Sequence, residues 1–331
     1  MEQFIQGASM PLVVLLLIVG FVFLIKGADF FVEGSSSIAK RLQVPSIIIG
    51  LTIVAMGTSL PETAVSVTAS MVNNNALAVS NVIGSNIFNL MFVIGVCSIL
   101  TPIAVQRDTI VRDIPLSVIC ALLLAGLGIL AVGDKGSYIL GHLDGVIFLV
   151  LFTGYIILMI RSALKARAEG KEVAIEGEED LKVLSYPKSI LCIVGGAIAI
   201  AIGGDLTVDT ASRIAVELGM SQTLVGLTIV SIGTSLPELV TSIVAARKNE
   251  VDMAVGNAVG SNIFNILMVL GIASAINPIG LLAENLIDIM ILVGFSLLVW
   301  AFAATKRKIT RKEGMAMVAL YLVYAIYIIL R

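Results

Sequence analysis

Three features of the sequence predict an all-α integral membrane protein with ten transmembrane helices, built as two inverted five-helix repeats. Composition is the first: of 331 residues, 58% are hydrophobic and 13% charged, and the mean hydropathy is +1.05. That balance lies far from a soluble globular domain. The second is segmentation. A helix needs about 20 mostly apolar residues to cross a bilayer, and such runs fall at 9–31, 45–71, 76–100, 113–132, 143–160, 188–214, 221–246, 252–275, 283–304 and 314–330. The third is internal repetition, because residues 27–96 align without a gap on 203–272 at a constant offset of 176. "GLTIVAMGTSLPE" at 50–62 falls on "GLTIVSIGTSLPE" at 226–238, and "NVIGSNIFNL" at 81–90 falls on "NAVGSNIFNI" at 257–266. Five spans separate corresponding positions. An odd number turns the second copy upside down, the plan by which many secondary transporters build two access states from one fold.

The repeats are expected at 1–161 and 188–331, with their duplicated segments at about 45–100 and 221–275, joined by a hydrophilic linker at 162–187. The linker's acidic cluster, Glu176, Glu178, Glu179 and Asp180, lacks the alternating ligands and central glycine of a calcium loop and reads as solvated chain. The N-terminus opens on an acidic "MEQ" with no basic region or cleavage site, so the first span is expected to be retained. With the N-terminus outside, the cytoplasmic loops collect all of the 21 basic residues except Lys26, Lys135, Arg213 and Arg331. The positive-inside rule therefore predicts both termini outside and the linker in the cytoplasm.

Composition also limits the chemistry. Cys97, Cys120 and Cys192 lie singly in apolar runs and read as core filler, and the lone His142 stands at the start of the fifth span as an interfacial residue. Catalytic zinc sites and nucleophile triads lack their parts, so no enzyme and no cofactor are expected. Nothing points to nucleic acid. The lipid bilayer is the expected surrounding, and internal symmetry makes a monomer sufficient.

The candidate site lies where the spans carry what a bilayer disfavours. Gly57 and Pro61, and Gly233 and Pro237, are expected to break their helices, freeing carbonyls near Ala55–Thr58 and Ser231–Thr234. In hydrocarbon such groups persist only where protein, water or an ion satisfies them. Glu62 and Glu238 sit deep in spans, where an ionised group costs at least about 2.5–3.5 kcal/mol and is usually functional. Thr58 and Thr234 lie four residues before them on the same helical face. Ser59, Ser235, Ser85, Ser261, Asn89 and Asn265 complete an all-oxygen set. Hard oxygens with two negative charges suit Na⁺ and Ca²⁺, and a flexible site favours Ca²⁺ over Mg²⁺. Ser66, Ser70, Thr52 and Thr228 are expected to serve helix contacts. Asp29 and Asp205, with Glu33 and Asp209, are expected to cap or ion-pair near helix ends.

The duplicated "GTSLPE" and "GSNIFN" segments resemble the paired alpha-repeats of the calcium/cation antiporter superfamily, and the whole chain is similar to its compact prokaryotic sodium/calcium exchanger branch. The resemblance implies exchange of Na⁺ for Ca²⁺ across a bacterial or archaeal plasma membrane by alternating access. It implies a calcium site of Glu62 and Glu238 with the Thr58 and Thr234 backbone oxygens. One sodium site would use Ala55, Thr58, Ser59, Glu62 and Ser85, and its inverted twin Ser231, Thr234, Ser235, Glu238 and Ser261. A central position would be bordered by Asn89 and Asn265. The first and sixth spans would form a gate sliding over the other eight. Two departures stand out: Asn265 replaces the aspartate of some relatives, and Ser231 pairs with Ala55, so the two sodium sites are not identical. A proton-coupled calcium exchanger on the same fold is the alternative, with H⁺ carried by a buried glutamate. A cation channel fits less well, because channels usually arise from oligomeric symmetry.

Overall fold

The computed structural model describes residues 2–72, 75–130, 138–168, 183–220 and 231–330. After a short N-terminal helix at Glu2–Gly7, the longer helices are α1 (Met10–Leu42), α2 (Ser46–Thr58), α3 (Leu60–Met71), α4 (Leu77–Leu100), α5 (Thr109–Ile129), α6 (His142–Ala168), α7 (Tyr186–Glu217), α8 (Leu236–Arg247), α9 (Val251–Ile276), α10 (Ala283–Lys306) and α11 (Arg311–Leu330). Eight of them are long and apolar enough to cross a membrane, and α2 with α3 forms one further span bent by 49°. The expected span at 221–246 enters the described residues only with its second half, at Ser231–Gly233 and α8.

Several spans outrun the sequence expectation. Apolar run length placed the ends of the first and fifth spans at residues 31 and 160, yet α1 continues to Leu42 and α6 to Ala168, inside the expected linker, and α7 reaches Glu217. At 1.5 Å per residue, the 33 residues of α1 exceed a hydrocarbon core of about 30 Å, so the helix must tilt or project. Its second half, "GSSSIAK", reads as polar by composition but is buried, with Ser35, Ser36 and Ser37 all enclosed. Asp29 consequently lies in mid-helix, as does Asp205 in α7, so the expectation of helix-end positions is corrected.

α1 and α7 pack along a seam of small residues spaced by seven. Gly20, Gly27 and Gly34 on α1 face Thr207, Ile200 with Gly196, and Ser189 on α7. A Cβ on Gly196 would stand 2.7 Å from the Gly27 carbonyl oxygen and 2.7 Å from the Phe31 amide, so the two backbones touch directly. Van der Waals packing of small residues is what drives helix association in lipid, where the solvent is as apolar as leucine.

The duplicated segments form the inner layer. α4 and α9 are the most enclosed of the eight single helices, whereas α1, α6, α7 and α11 turn many apolar side chains outward, as lipid-facing helices do. Both inner helices loosen into a π-helical turn at the same repeat position, Phe88–Val93 in α4 and Asn265–Val269 in α9. A third π-helical turn, Gly50–Val54, lies in α2, and the Tyr155 hydroxyl donates to its Leu51 carbonyl at 2.6 Å. Such turns widen a helix locally and recur at functional sites. Two short antiparallel ribbons tie distant loops together, Ile103–Ala104 with Lys308–Ile309 and Tyr138–Leu140 with Ile279–Leu281.

Candidate ion-binding site

The broken spans bring the two carboxylates to one place. α2 stops at Thr58, Ser59 leaves helical geometry (φ −84°, ψ 13°), and α3 restarts at Leu60 with Pro61 in its first turn. The missing proline N–H is harmless there, because first-turn donors have no helical partner. Ser235 adopts the same conformation (φ −95°, ψ 6°) ahead of α8, whose first turn holds Pro237. Glu62 and Glu238 therefore each occupy the first turn of a helix, where unpaired amides and the macrodipole favour negative charge. The freed carbonyls are fewer than the sequence suggested. The Ala55 carbonyl still accepts the Ser59 amide at 3.1 Å, whereas in the second copy the Ser235 amide turns to Ile232 at 3.1 Å.

The carboxylates are bonded crosswise between the repeats. The Ser59 hydroxyl donates to Glu238 Oε1 at 2.8 Å, and the Ser235 hydroxyl donates to Glu62 Oε1 at 3.0 Å. Within each repeat, Ser85 reaches Glu62 Oε1 and Ser261 reaches Glu238 Oε1, both at 3.5 Å. Ser261 also approaches the Ala55 carbonyl at 3.5 Å. Both glutamates are fully enclosed, and among the described residues no lysine, arginine or histidine pairs with either. Their remaining oxygens, Glu62 Oε2 and Glu238 Oε2, have no hydrogen-bond partner, and neither do Asn89 Oδ1 and Asn265 Oδ1. Buried acceptors without donors are costly. Four of them, two belonging to carboxylates, are oxygens of the kind that a hard cation takes.

Two residues missed by the sequence analysis organise this centre. Asn257 donates Nδ2 to the Glu238 carbonyl at 3.3 Å and to Ser242 Oγ at 3.0 Å, while its Oδ1 accepts the Thr58 hydroxyl at 3.0 Å. Asn81 repeats the pattern: Nδ2 to the Glu62 carbonyl at 3.4 Å and Ser66 Oγ at 2.9 Å, and Oδ1 accepting the Thr234 hydroxyl at 3.3 Å. Their signal was present, since both open the duplicated segments one helical turn before Ser85 and Ser261. Ser66, expected only to serve helix contacts, belongs to this network. At the centre, Asn86 and Asn262 exchange amide-to-carbonyl bonds at 3.2 and 3.0 Å, and Asn265 Nδ2 donates to Asn86 Oδ1 at 3.1 Å.

Other expected residues stand apart. Asp29 is held by Lys248, whose Nζ lies 2.8 Å from the Asp29 carbonyl and 3.4 Å from its carboxylate. Ser70 donates to the Ala273 carbonyl at 2.6 Å and Thr52 to that of Ile48 at 2.7 Å, both structural. His142 is exposed with Nδ1 2.9 Å from the Ala275 carbonyl, and Cys97 and Cys120 are buried. Thr228 and the acidic cluster at 176–180 lie outside the described residues, and Ser231 is described by its backbone alone.

A cavity of about 730 Å³ lies beside the second break. It is lined by α3, by Gly204, Asp205 and Asp209 of α7, and by Gly233, Thr234 and Pro237 at the second break.

Duplicated broken spans that meet at two buried carboxylates, in a chain of membrane-length helices, are the plan of a secondary transporter. The chain belongs to the sodium/calcium exchanger protein family, whose model it matches over residues 12–161 and 188–330. The sodium/calcium exchanger MaX1 of Methanosarcina acetivorans is 32% identical over 341 residues, covering 94% of this chain and 97% of that protein. The inner membrane protein YrbG of Escherichia coli K12 is 34% identical over 300 residues, covering 88% and 90%. Among solved structures, the sodium-calcium exchanger NCX_Mj soaked with 10 mM Na⁺ superimposes with a TM-score of 0.80 at 34% identity, covering 95% of this chain and 98% of that one.

Proposed function

We propose that this protein is a secondary antiporter that exchanges Na⁺ for Ca²⁺ across the plasma membrane, working as a monomer without a chemical step or a cofactor. One observation carries the reading: two enclosed glutamates with no cationic partner among the described residues, each with one oxygen bound crosswise by the opposite repeat and the other left for cargo. Ca²⁺ would sit between Glu62 and Glu238 with the Thr58 and Thr234 backbone oxygens. Na⁺ would use Ala55, Thr58, Ser59, Glu62 and Ser85 on one side and Ser231, Thr234, Ser235, Glu238 and Ser261 on the other. One divalent ion neutralises both carboxylates, so it excludes the monovalent ions that would otherwise do so, and exclusive occupancy is what exchange requires. The names of MaX1 and NCX_Mj support the pair of ions. The repeats at 1–161 and 188–331, the cytoplasmic linker at 162–187 and both termini outside complete the proposed topology.

The test is uptake of labelled Ca²⁺ into proteoliposomes preloaded with Na⁺, compared with a proton gradient and with no gradient. Uptake driven by Na⁺ is expected, and uptake driven only by protons would assign the sodium ligands to structure. Glu62→Gln and Glu238→Gln should each lower the Na⁺-driven rate at least about 100-fold, the order expected when about 3 kcal/mol of ion binding is lost. Each should leave the chain monodisperse. Wild-type flux in either variant would remove that glutamate from the site.

A further inference from the structure

The threonines at the two breaks are to lend the calcium site their backbone oxygens, so the bonds of their hydroxyls decide how those backbones are held. The Thr58 hydroxyl has the Val54 carbonyl at 3.1 Å, the Ala55 carbonyl at 3.4 Å and Asn257 Oδ1 at 3.0 Å within reach, with the Glu238 carboxylate close by. The two carbonyls belong to its own helix. Asn257 belongs to the opposite repeat and is no ligand.

Asn257 cannot turn its amide over. Its NH₂ group faces the Glu238 carbonyl, which only accepts, and Ser242 Oγ, whose own hydroxyl is directed at the Ala254 carbonyl at 3.5 Å. A flipped amide would set two carbonyl oxygens against each other, so the network itself assigns Oδ1 to Thr58. Asn81 is locked in the same way by the Glu62 carbonyl and Ser66, and it offers Oδ1 to Thr234.

We propose that Asn81 and Asn257 are positioning residues for ion binding, each tying a break threonine to the carboxylate-bearing helix of the opposite repeat. The proposal rests on the cation site described above and adds residues that do not touch the ion. It also gives the two half-sites a mechanical link. Displacing the Thr58 segment pulls on the Glu238 backbone through one amide, and displacing the Thr234 segment pulls on Glu62 through the other.

The experiment is equilibrium binding of labelled Ca²⁺ to the purified full-length chain in detergent, with Na⁺ as competitor. Asn257→Leu keeps the branched side-chain shape and removes the amide, and it should raise the Ca²⁺ Kd by about five- to tenfold, the effect of one net hydrogen bond. Thr58→Val should raise it too, and the double variant should be no weaker than Thr58→Val alone, because the amide acts through that hydroxyl. A merely structural role would lower the thermal midpoint and leave the Kd unchanged. An unchanged Kd for Asn257→Leu, or additivity in the double variant, would overturn the proposal. Asn81→Leu with Thr234→Val reads the same linkage at the partly exposed end, should Asn257→Leu not fold. If neither asparagine variant gives monodisperse protein, the residues are structural and the proposal fails. A wild-type chain that binds neither ion would overturn the site itself, a result that needs no variant and is therefore distinct.

Discussion

The two ends of the site have almost the same sequence and unequal surroundings. Thr58 and Asn257 are completely buried, whereas their repeat mates Thr234 and Asn81 are partly exposed, with Thr234 on the cavity wall. The motif residues of the duplicated segments cannot cause this, since they match. The outer helices and the few divergent positions packed against them do. On the α1 side the Phe31 ring packs onto Gly57, where its Cζ would stand 2.6 Å from an added Cβ. The repeat mate of Phe31 is Thr207, a small residue that turns to Gly20, and Val208 takes the contact with Gly233. Lys248 then bonds Asp29 and pins α8 to α1, while the corresponding pair on the other side is Val72 and Asp205, both on the cavity wall. An aromatic plug and an ion pair close one end, and the lack of both leaves the other open. Alternating access needs the two states to lie within a few kcal/mol of each other, so differences of this size are enough to set which one is populated.

Gly196→Leu should have the largest effect, because it forces apart the seam that both ends share. Its Cβ would meet backbone at 2.7 Å, which no rotamer change relieves. Overpacking of this kind costs about 1–3 kcal/mol or more, and the expected result is a thermal midpoint lowered by several degrees, read by unfolding in detergent. An unchanged midpoint would mean that α1 and α7 need no close approach.

Lys248→Met should act on one end only. In a background freed of Cys97, Cys120 and Cys192, a thiol at Gly204→Cys reports the cavity wall and one at Ala28→Cys reports its buried mate. The first should label fast and the second slowly. Loss of the partly exposed Lys248–Asp29 pair is worth about 1 kcal/mol at most, so labelling at residue 28 should rise up to about fivefold. High salt should reproduce part of that rise by screening the pair. Equal labelling with and without Lys248 would show that Phe31 alone closes that end.

Val72→Lys is the gentlest change and the reciprocal one. It supplies the missing cation opposite Asp205, and labelling at Gly204→Cys should fall by about twofold, within the range of exposed ion pairs. No change would mean that the geometry at residue 72 does not reproduce that at Lys248.

Much of this was readable in advance. The membrane class and the inverted duplication follow from hydropathy and from the offset of 176, and Glu62 and Glu238 stood out because a bilayer tolerates carboxylates only for a reason. Asn81 and Asn257 escaped because an amide in a span reads as an ordinary helix contact until its partners are known. The ends of α1 and α7 were misread for a related reason: "GSSSIAK" looks like loop by composition, and only packing against a neighbouring helix makes small polar residues good interior.

Covalent order alone determined that the chain crosses the membrane, that its two halves share one plan in opposite orientation, and that oxygen-bearing residues recur at matched positions. These are statements about hydropathy and spacing, which a linear sequence contains in full. Which serine meets which glutamate, which amide oxygen takes which threonine proton, and which end of the site stands open were decided only by the tertiary structure. Each of those depends on contacts between residues some 150 to 200 positions apart, and such distances are set by how the two repeats pack, not by either repeat's sequence alone.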